Sequence, residues 1–213
     1  MKTLEQIRSE VSDIIQRNYY SEDFELISSF QIFIGALSAE EKNLLADVVF
    51  ERLLAEGSIV DIMLCGLVDV PSAAPVLAEK LSRESDTNQV TRSIISALQH
   101  YPGDDGYVAV ERFLDSDQEL EALSALARID FVRTLPAIVR RMSKEYMHGN
   151  LLHLLHERSK TIGIDALIIE LTMSSATKST GFRENLPKVL ASKAKGYNPF
   201  NEEELATIKR AFV

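Results

Sequence analysis

Four leucines close four apolar helical stretches at a nearly fixed interval: Leu67, Leu98, Leu126 and Leu155, separated by 31, 28 and 29 residues. Each follows a small or apolar residue (Gly66, Ala97, Ala125, Leu154). Each is followed, after a turn, by a second apolar face: Val76-Leu77, Val108-Val110, Ile138-Val139 and Leu167-Ile168. A period near 30 built of helix pairs constrains the fold strongly. One pair cannot bury its apolar face alone, so successive pairs must stack. Period-2 alternation is almost absent, and a spacing of 3.6 dominates. The expected fold class is all-α, an α-α superhelix of antiparallel helix pairs.

Local signals place the individual helices. Thr3 to Arg17 sets Leu4, Ile7, Val11, Ile14 and Ile15 on one face. Ser38 with Glu41 forms a capping box for a helix that reaches Ala55, and Gly57 supplies the stop. Ser58 opens a short apolar helix. Further caps are expected at Asp86 with Gln89, at Ser116 with Glu119, and at Thr134 before Pro136. Residues 174–181 read as a polar loop, the best candidate for a flexible segment. Leu186-Pro187 is expected to open a helix that runs to Lys195 and stops at Gly196, and Asn201 with Glu204 to box the final helix. With no long linker, the expectation is one continuous domain over 1–213. Residues 1–57 and 182–213 would be capping helices around repeats at 58–172.

These repeats resemble HEAT repeats, and through them the wider HEAT/ARM-like solenoids, especially the short bacterial type that includes phycobilisome-lyase HEAT-like units. The best copy runs from Phe113 to Ile129, with an acidic turn, an alanine-rich second helix and a terminal A-L-A-R-I. The copy from Pro71 to Tyr101 is good, and those from Leu135 and Ile164 are weaker. Thr91 and Glu119 stand where the family usually places an arginine, so no aspartate–arginine ladder is expected. The resemblance implies a long concave surface lined by second helices. On that reading Asp61, Arg92, Ser93, Ser96, Gln99, Glu121, Ser124, Arg128 and His153 are groove residues.

Charge sets the partner class. Residues 1–131 carry 24 acidic and 10 basic side chains, and residues 132–213 carry 8 and 13, for a net charge of −9. An acidic front repels phosphate and attracts basic surfaces, so nucleic acid is a poor partner for it. The basic end (Arg133, Arg140, Arg141, Lys144, Lys188, Lys193, Lys195) reads as a solvated helix surface able to touch an anion. No apolar run approaches the roughly 20 residues that span a bilayer, so no membrane partner is expected. The charged N-terminus lacks a signal-peptide core, and the single cysteine forms no intrachain disulfide. A cytoplasmic location is expected.

Chemistry-bearing motifs are sparse. His153 and His156 share a helical face near His148 and Glu157, but a metal site needs a further ligand that the pattern does not supply. Cys65 sits in an apolar stretch and reads as a small buried hydrophobe. Asp104, Asp105, Asp115 and Asp117 lie at helix starts, where carboxylates favour the dipole and free amides. No catalytic residue, metal or cofactor is expected. Tyr19 and Tyr20 with Glu22 and Asp23 form an aromatic patch in an acidic setting, suited to a basic protein.

The functional expectation is therefore a non-enzymatic module that binds a basic protein. Its most specific form is a bacterial immunity protein or antitoxin neutralising a toxin such as a nuclease, whose phosphate-binding site is basic. Two alternatives come from the fold resemblance alone: a DNA-alkylation-repeat-like nucleic-acid binder or glycosylase, and a lyase-type HEAT chaperone. The first needs a basic, aromatic groove, whereas this chain has no tryptophan. Oligomeric state is left open by the sequence.

Overall fold

A computed structural model describes residues 1–18, 23–55, 57–84, 88–193 and 196–212. The described residues are all-helical and divide into two compact units, Met1–Arg112 and Phe113–Val213. The division falls inside the stretch expected to form the repeats.

The first unit contains α1 (Leu4–Arg17), α2 (Asp23–Gly35), α3 (Ala39–Ala55), α4 (Ile59–Leu67), α5 (Ala73–Arg83), α6 (Gln89–Leu98) and α7 (Asp104–Glu111). Its most extensive packing sets α4 against α6 and α5 against α7, with α5 also on α6 and α1 on α3. Helices two apart in sequence thus lie side by side. The apolar faces meet in a core that includes Phe30, Leu45, Ile62, Leu77, Ile94 and Leu98. Fully burying one such side chain contributes roughly 1.5–3 kcal/mol. Tyr101 adds a polar clasp, donating its hydroxyl to the carbonyls of Cys65 and, at 3.3 Å, Val68. Val108 departs from the expected apolar face. It is 58% exposed, while Val110 two positions on is buried.

Two expected capping boxes form, and Ser58, expected only to open a helix, forms a third. Ser38 donates its amide to Glu41 and its hydroxyl accepts from the Glu41 amide. Ser58 and Asp61 do the same for α4, and Asn201 and Glu204 for the last helix. Gly57 ends α3 at φ +55, where a Cβ would lie 3.0 Å from the Leu53 carbonyl oxygen. That left-handed conformation with a close backbone approach requires glycine.

The second unit contains α8 (Glu119–Ile129), α9 (Phe131–Arg141), α10 (His148–Ile162), α11 (Ile164–Met173), α12 (Thr180–Ala191) and α13 (Glu202–Phe212). Here α8 packs on α9 and α10, α10 on α11 and α12, and α13 on α11. Leu126 and Leu155 are buried as the period predicts. Arg141, only 4% exposed, knots this unit together. Its Nε donates to Glu119 at 2.8 Å, and its Nη2 donates to the Leu114 carbonyl and, at 3.1 Å, to Asp115. It is therefore not a free cation of a basic surface. Lys144 also bonds Glu119, at 2.7 Å.

Several helix starts differ from expectation. The helix expected to be capped by Asp86 begins at Gln89, and its cap is Asn88, which accepts from the Thr91 amide at 2.9 Å. Ser116 does not box with Glu119, because that carboxylate is engaged by Arg141, Lys144 and Tyr146. The Ser116 hydroxyl accepts from the Gln118 amide instead. Thr134 is no cap either. It is buried inside α9, which starts at Phe131 under Asp130. Residues 174–181 are not an open loop. They hold a 3-10 turn at Ala176–Lys178 with a buried Thr177, and then begin α12 under Ser179. Pro187 accordingly lies within α12 rather than at its start.

Pro136 likewise lies inside α9. A proline in a helix interior costs about 3 kcal/mol, while its restriction of the unfolded chain returns up to about 1 kcal/mol. Pro136→Ala is therefore expected to stabilise the protein by about 2 kcal/mol. A urea midpoint equal to or below that of the parent chain would contradict this.

Candidate binding cavity

Between α4 and α6 lies a cavity of about 270 Å³. Met63, Gly66 and Leu67 of α4 form one wall, and Arg92, Ser93, Ser96 and Ala97 of α6 the other. Ile27 of α2, Gln89 and His100 complete the lining. Gly66 faces α6 with room for a Cβ at ordinary contact distance. An added one would touch the Ala97 Cα at 3.5 Å and the His100 Cδ2 at 3.7 Å. The interior is mainly apolar, with hydroxyls and an arginine on the α6 side.

Ser93 is a buried residue on this wall, and its hydroxyl has no hydrogen-bond partner among the described residues. That oxygen reaches solvent, since no described side-chain oxygen is both sealed from solvent and unbonded. Ser96 accepts weakly from Gln99 Nε2 at 3.5 Å, and Gln99 also approaches His100 Nε2 at 3.2 Å.

The residues expected to line a groove fall in different surroundings. Arg92, Ser93 and Ser96 converge on one cavity, with Gln99 beside them. Asp61 does not face a groove. It is fully buried, accepts from Arg52 Nε at 2.7 Å, and completes the cap with Ser58. In the second unit, Glu121, Ser124 and Arg128 lie on α8 and His153 on α10. Of these, Arg128 lines a separate cavity of about 290 Å³ with Phe131, Leu154, Glu157, Arg158 and Thr161. Met63, Leu67 and Ile27 escaped sequence reasoning. They come from other helices, and only the recurring Gly66-Leu67 pair hinted at that wall. Tyr19, Tyr20, Glu22, Asp86 and Lys195 lie outside the described residues. Asp23 is the first residue of α2.

The remaining candidates have defined surroundings. Burial, with a smaller push from Asp61, raises the Cys65 thiol to about 12, so it stays protonated at neutral pH. His148 is buried with Nε2 2.7 Å from the Met142 carbonyl. Among the described residues no three histidine, cysteine or acidic side chains come together in a way that could hold a metal ion. No helix among them is long and apolar enough to cross a membrane.

His156 packs edge-on against Phe200, ring centroids 5.1 Å apart. Desolvation, then the Lys160 charge, hold its pKa below the ordinary value, against weaker pulls from Glu204 and Glu157. A lowered folded pKa means the unfolded chain binds the proton more readily. Stability from this group is present above about pH 6.5 and is lost as pH falls through the folded value. Urea midpoints should drop between pH 8 and pH 5, and His156→Gln should flatten that drop. Parallel pH curves for both proteins would exclude the effect.

In comparison with known proteins, the chain matches no family model, no curated protein and no solved structure.

Proposed function

We propose that this chain is a HEAT-like solenoid acting as a non-enzymatic module that binds a basic protein in the cytoplasm. In its most specific form it is a bacterial immunity protein or antitoxin that covers a toxin's phosphate-binding site. The side-by-side packing of α4 with α6 and of α5 with α7 supports the repeat arrangement.

One observation carries the partner class. The Met1–Arg112 unit holds 19 acidic against 9 basic side chains. Glu40, Asp47, Asp69, Asp105 and Glu111 are exposed there and form no ion pair among the described residues. Exposed like charges destabilise the unit that carries them, yet they speed association with a positive surface by about 10–1,000-fold.

The test uses the intact chain as bait in source-cell lysate at low and high salt, with the retained proteins identified. One basic protein should be recovered, with association slowing as salt rises. The triple variant Asp69→Lys/Asp105→Lys/Glu111→Lys should bind it at least about tenfold more slowly. If the captured protein is a nuclease, added chain should silence it. Recovery of nucleic acid, or equal association by the triple variant, would overturn the reading.

A further inference from the structure

We propose that α11 is the docking face for a second copy of this chain, the two helices pairing antiparallel across a two-fold axis. The inference is independent of the basic-protein reading, because it rests on one helix of the Phe113–Val213 unit and not on the acidic Met1–Arg112 unit.

The first observation is a helix more apolar than its own unit can use. Seven of the ten residues of α11 are apolar, yet only Leu167 and Leu171 are buried. The helices packed on it, α10 and α13, cover one side. On the other side Ile169 and Met173 are 57% and 78% exposed. They stand four residues apart and are therefore neighbours on one face. A helix that is apolar nearly all round is normally buried nearly all round. For α11 part of that burial is missing within the chain itself.

The second observation is the charge at the two ends of this face. Asp165 lies in the first turn of α11. Lys178 follows the last turn and shares a cavity with Thr172 of α11 and with Arg183. Asp165 and Lys178 are both exposed, and neither side chain forms an ion pair or hydrogen bond among the described residues. An apolar centre with an acid at one end and a base at the other is self-complementary. Laid antiparallel on itself, it brings Asp165 of each copy toward Lys178 of the other and covers Ile169 and Met173 of both. A strongly acidic or strongly basic partner would leave one of the two ends facing its like. The face is small. Ten helical residues span about 15 Å, so the interface lies near the lower bound of roughly 1,200 Å² for stable complexes, and association belongs in the micromolar range.

Sedimentation velocity of the full-length chain at low salt provides the test. The mass should rise from 23.8 kDa toward twice that value between about 1 and 500 µM. Ile169→Glu/Met173→Glu should stay monomeric throughout. Both side chains are exposed, so its urea midpoint should match that of the parent chain. The charge pair gives a second readout, which a loss of folding does not mimic. Asp165→Lys alone and Lys178→Asp alone should each weaken dimerisation roughly tenfold, since each change acts twice across the axis. Asp165→Lys/Lys178→Asp in one chain should restore it. The proposal fails if the parent chain stays monomeric across this range, or if Ile169→Glu/Met173→Glu dimerises as the parent does. It also fails if the combined charge exchange does not recover what the single changes lose.

Discussion

Arg141→Met lowers the unfolding free energy by about 3 kcal/mol, as measured by urea denaturation of the full chain. Removing one partner of a buried ion pair generally costs roughly 3–5 kcal/mol, because the other charge is stranded. The lower end applies here. Glu119 keeps Lys144 at 2.7 Å and Tyr146 at 3.0 Å, so its carboxylate is not abandoned. What is lost is the donor to the Leu114 carbonyl and the bridge from α9 to the start of α8. Arg141→Lys restores charge but not the fork and should recover less than half. The same network sets an acid limit. Burial raises the Glu119 carboxyl, but bonds from Lys144, Tyr146 and Arg141 outweigh it and hold the pKa below the usual range. The associated stability is present above about pH 4.3 and fades as pH falls through that lowered value. The acid loss should be smaller in Arg141→Met. A variant within about 0.5 kcal/mol of the parent chain would show that the buried guanidinium only offsets its own desolvation.

Asp61→Ala should be comparably damaging, at about 2–3 kcal/mol. The carboxylate performs two tasks at once. Its Oδ2 accepts from the Ser58 amide at 3.0 Å and from the Ser58 hydroxyl, and its Oδ1 accepts from Arg52 Nε at 2.7 Å. Loss of a helix cap costs about 1 kcal/mol, and loss of a charge-assisted bond about 1.5–3 kcal/mol. The terms do not add fully, because the Arg52 side chain is 22% exposed and can turn toward water. Asp61→Asn keeps the shape and one acceptor, so it should lie between the two proteins. Thermal melts that rank Asn below Ala would refute this assignment of roles.

These two residues show what a sequence reveals and what it hides. Ser58 was legible as a helix start, but its box with Asp61, three residues on, was not read although local geometry alone creates it. The second role of Asp61 was hidden, because Arg52 comes from the preceding helix. Asp61 therefore looked like a polar groove position. Glu119 failed as a capping residue for the mirror-image reason: cations 22 and 25 residues away take its oxygens. Proline misled twice, at Pro136 and Pro187, because its preference for a first turn is a tendency that surrounding packing overrides. The leucine period located core positions well, with Leu98, Leu126 and Leu155 buried. Leu67 is half-buried because it borders the α4–α6 cavity. Helical-wheel logic put Arg92, Ser93 and Ser96 on one surface. It could not find Ile27, which enters from a helix more than 60 residues upstream.

The packing order has a kinetic consequence. The most extensive helix contacts, α4 with α6 and α5 with α7, join elements two apart in the chain, and α8 with α9 joins neighbours. Loop closure for such contacts involves short segments, so little chain entropy is surrendered before each contact forms. Either unit can begin folding at any neighbouring set of helices and extend outward, without waiting for its termini to meet. A chain built this way emerges from the ribosome able to bury its apolar faces almost as soon as they are made.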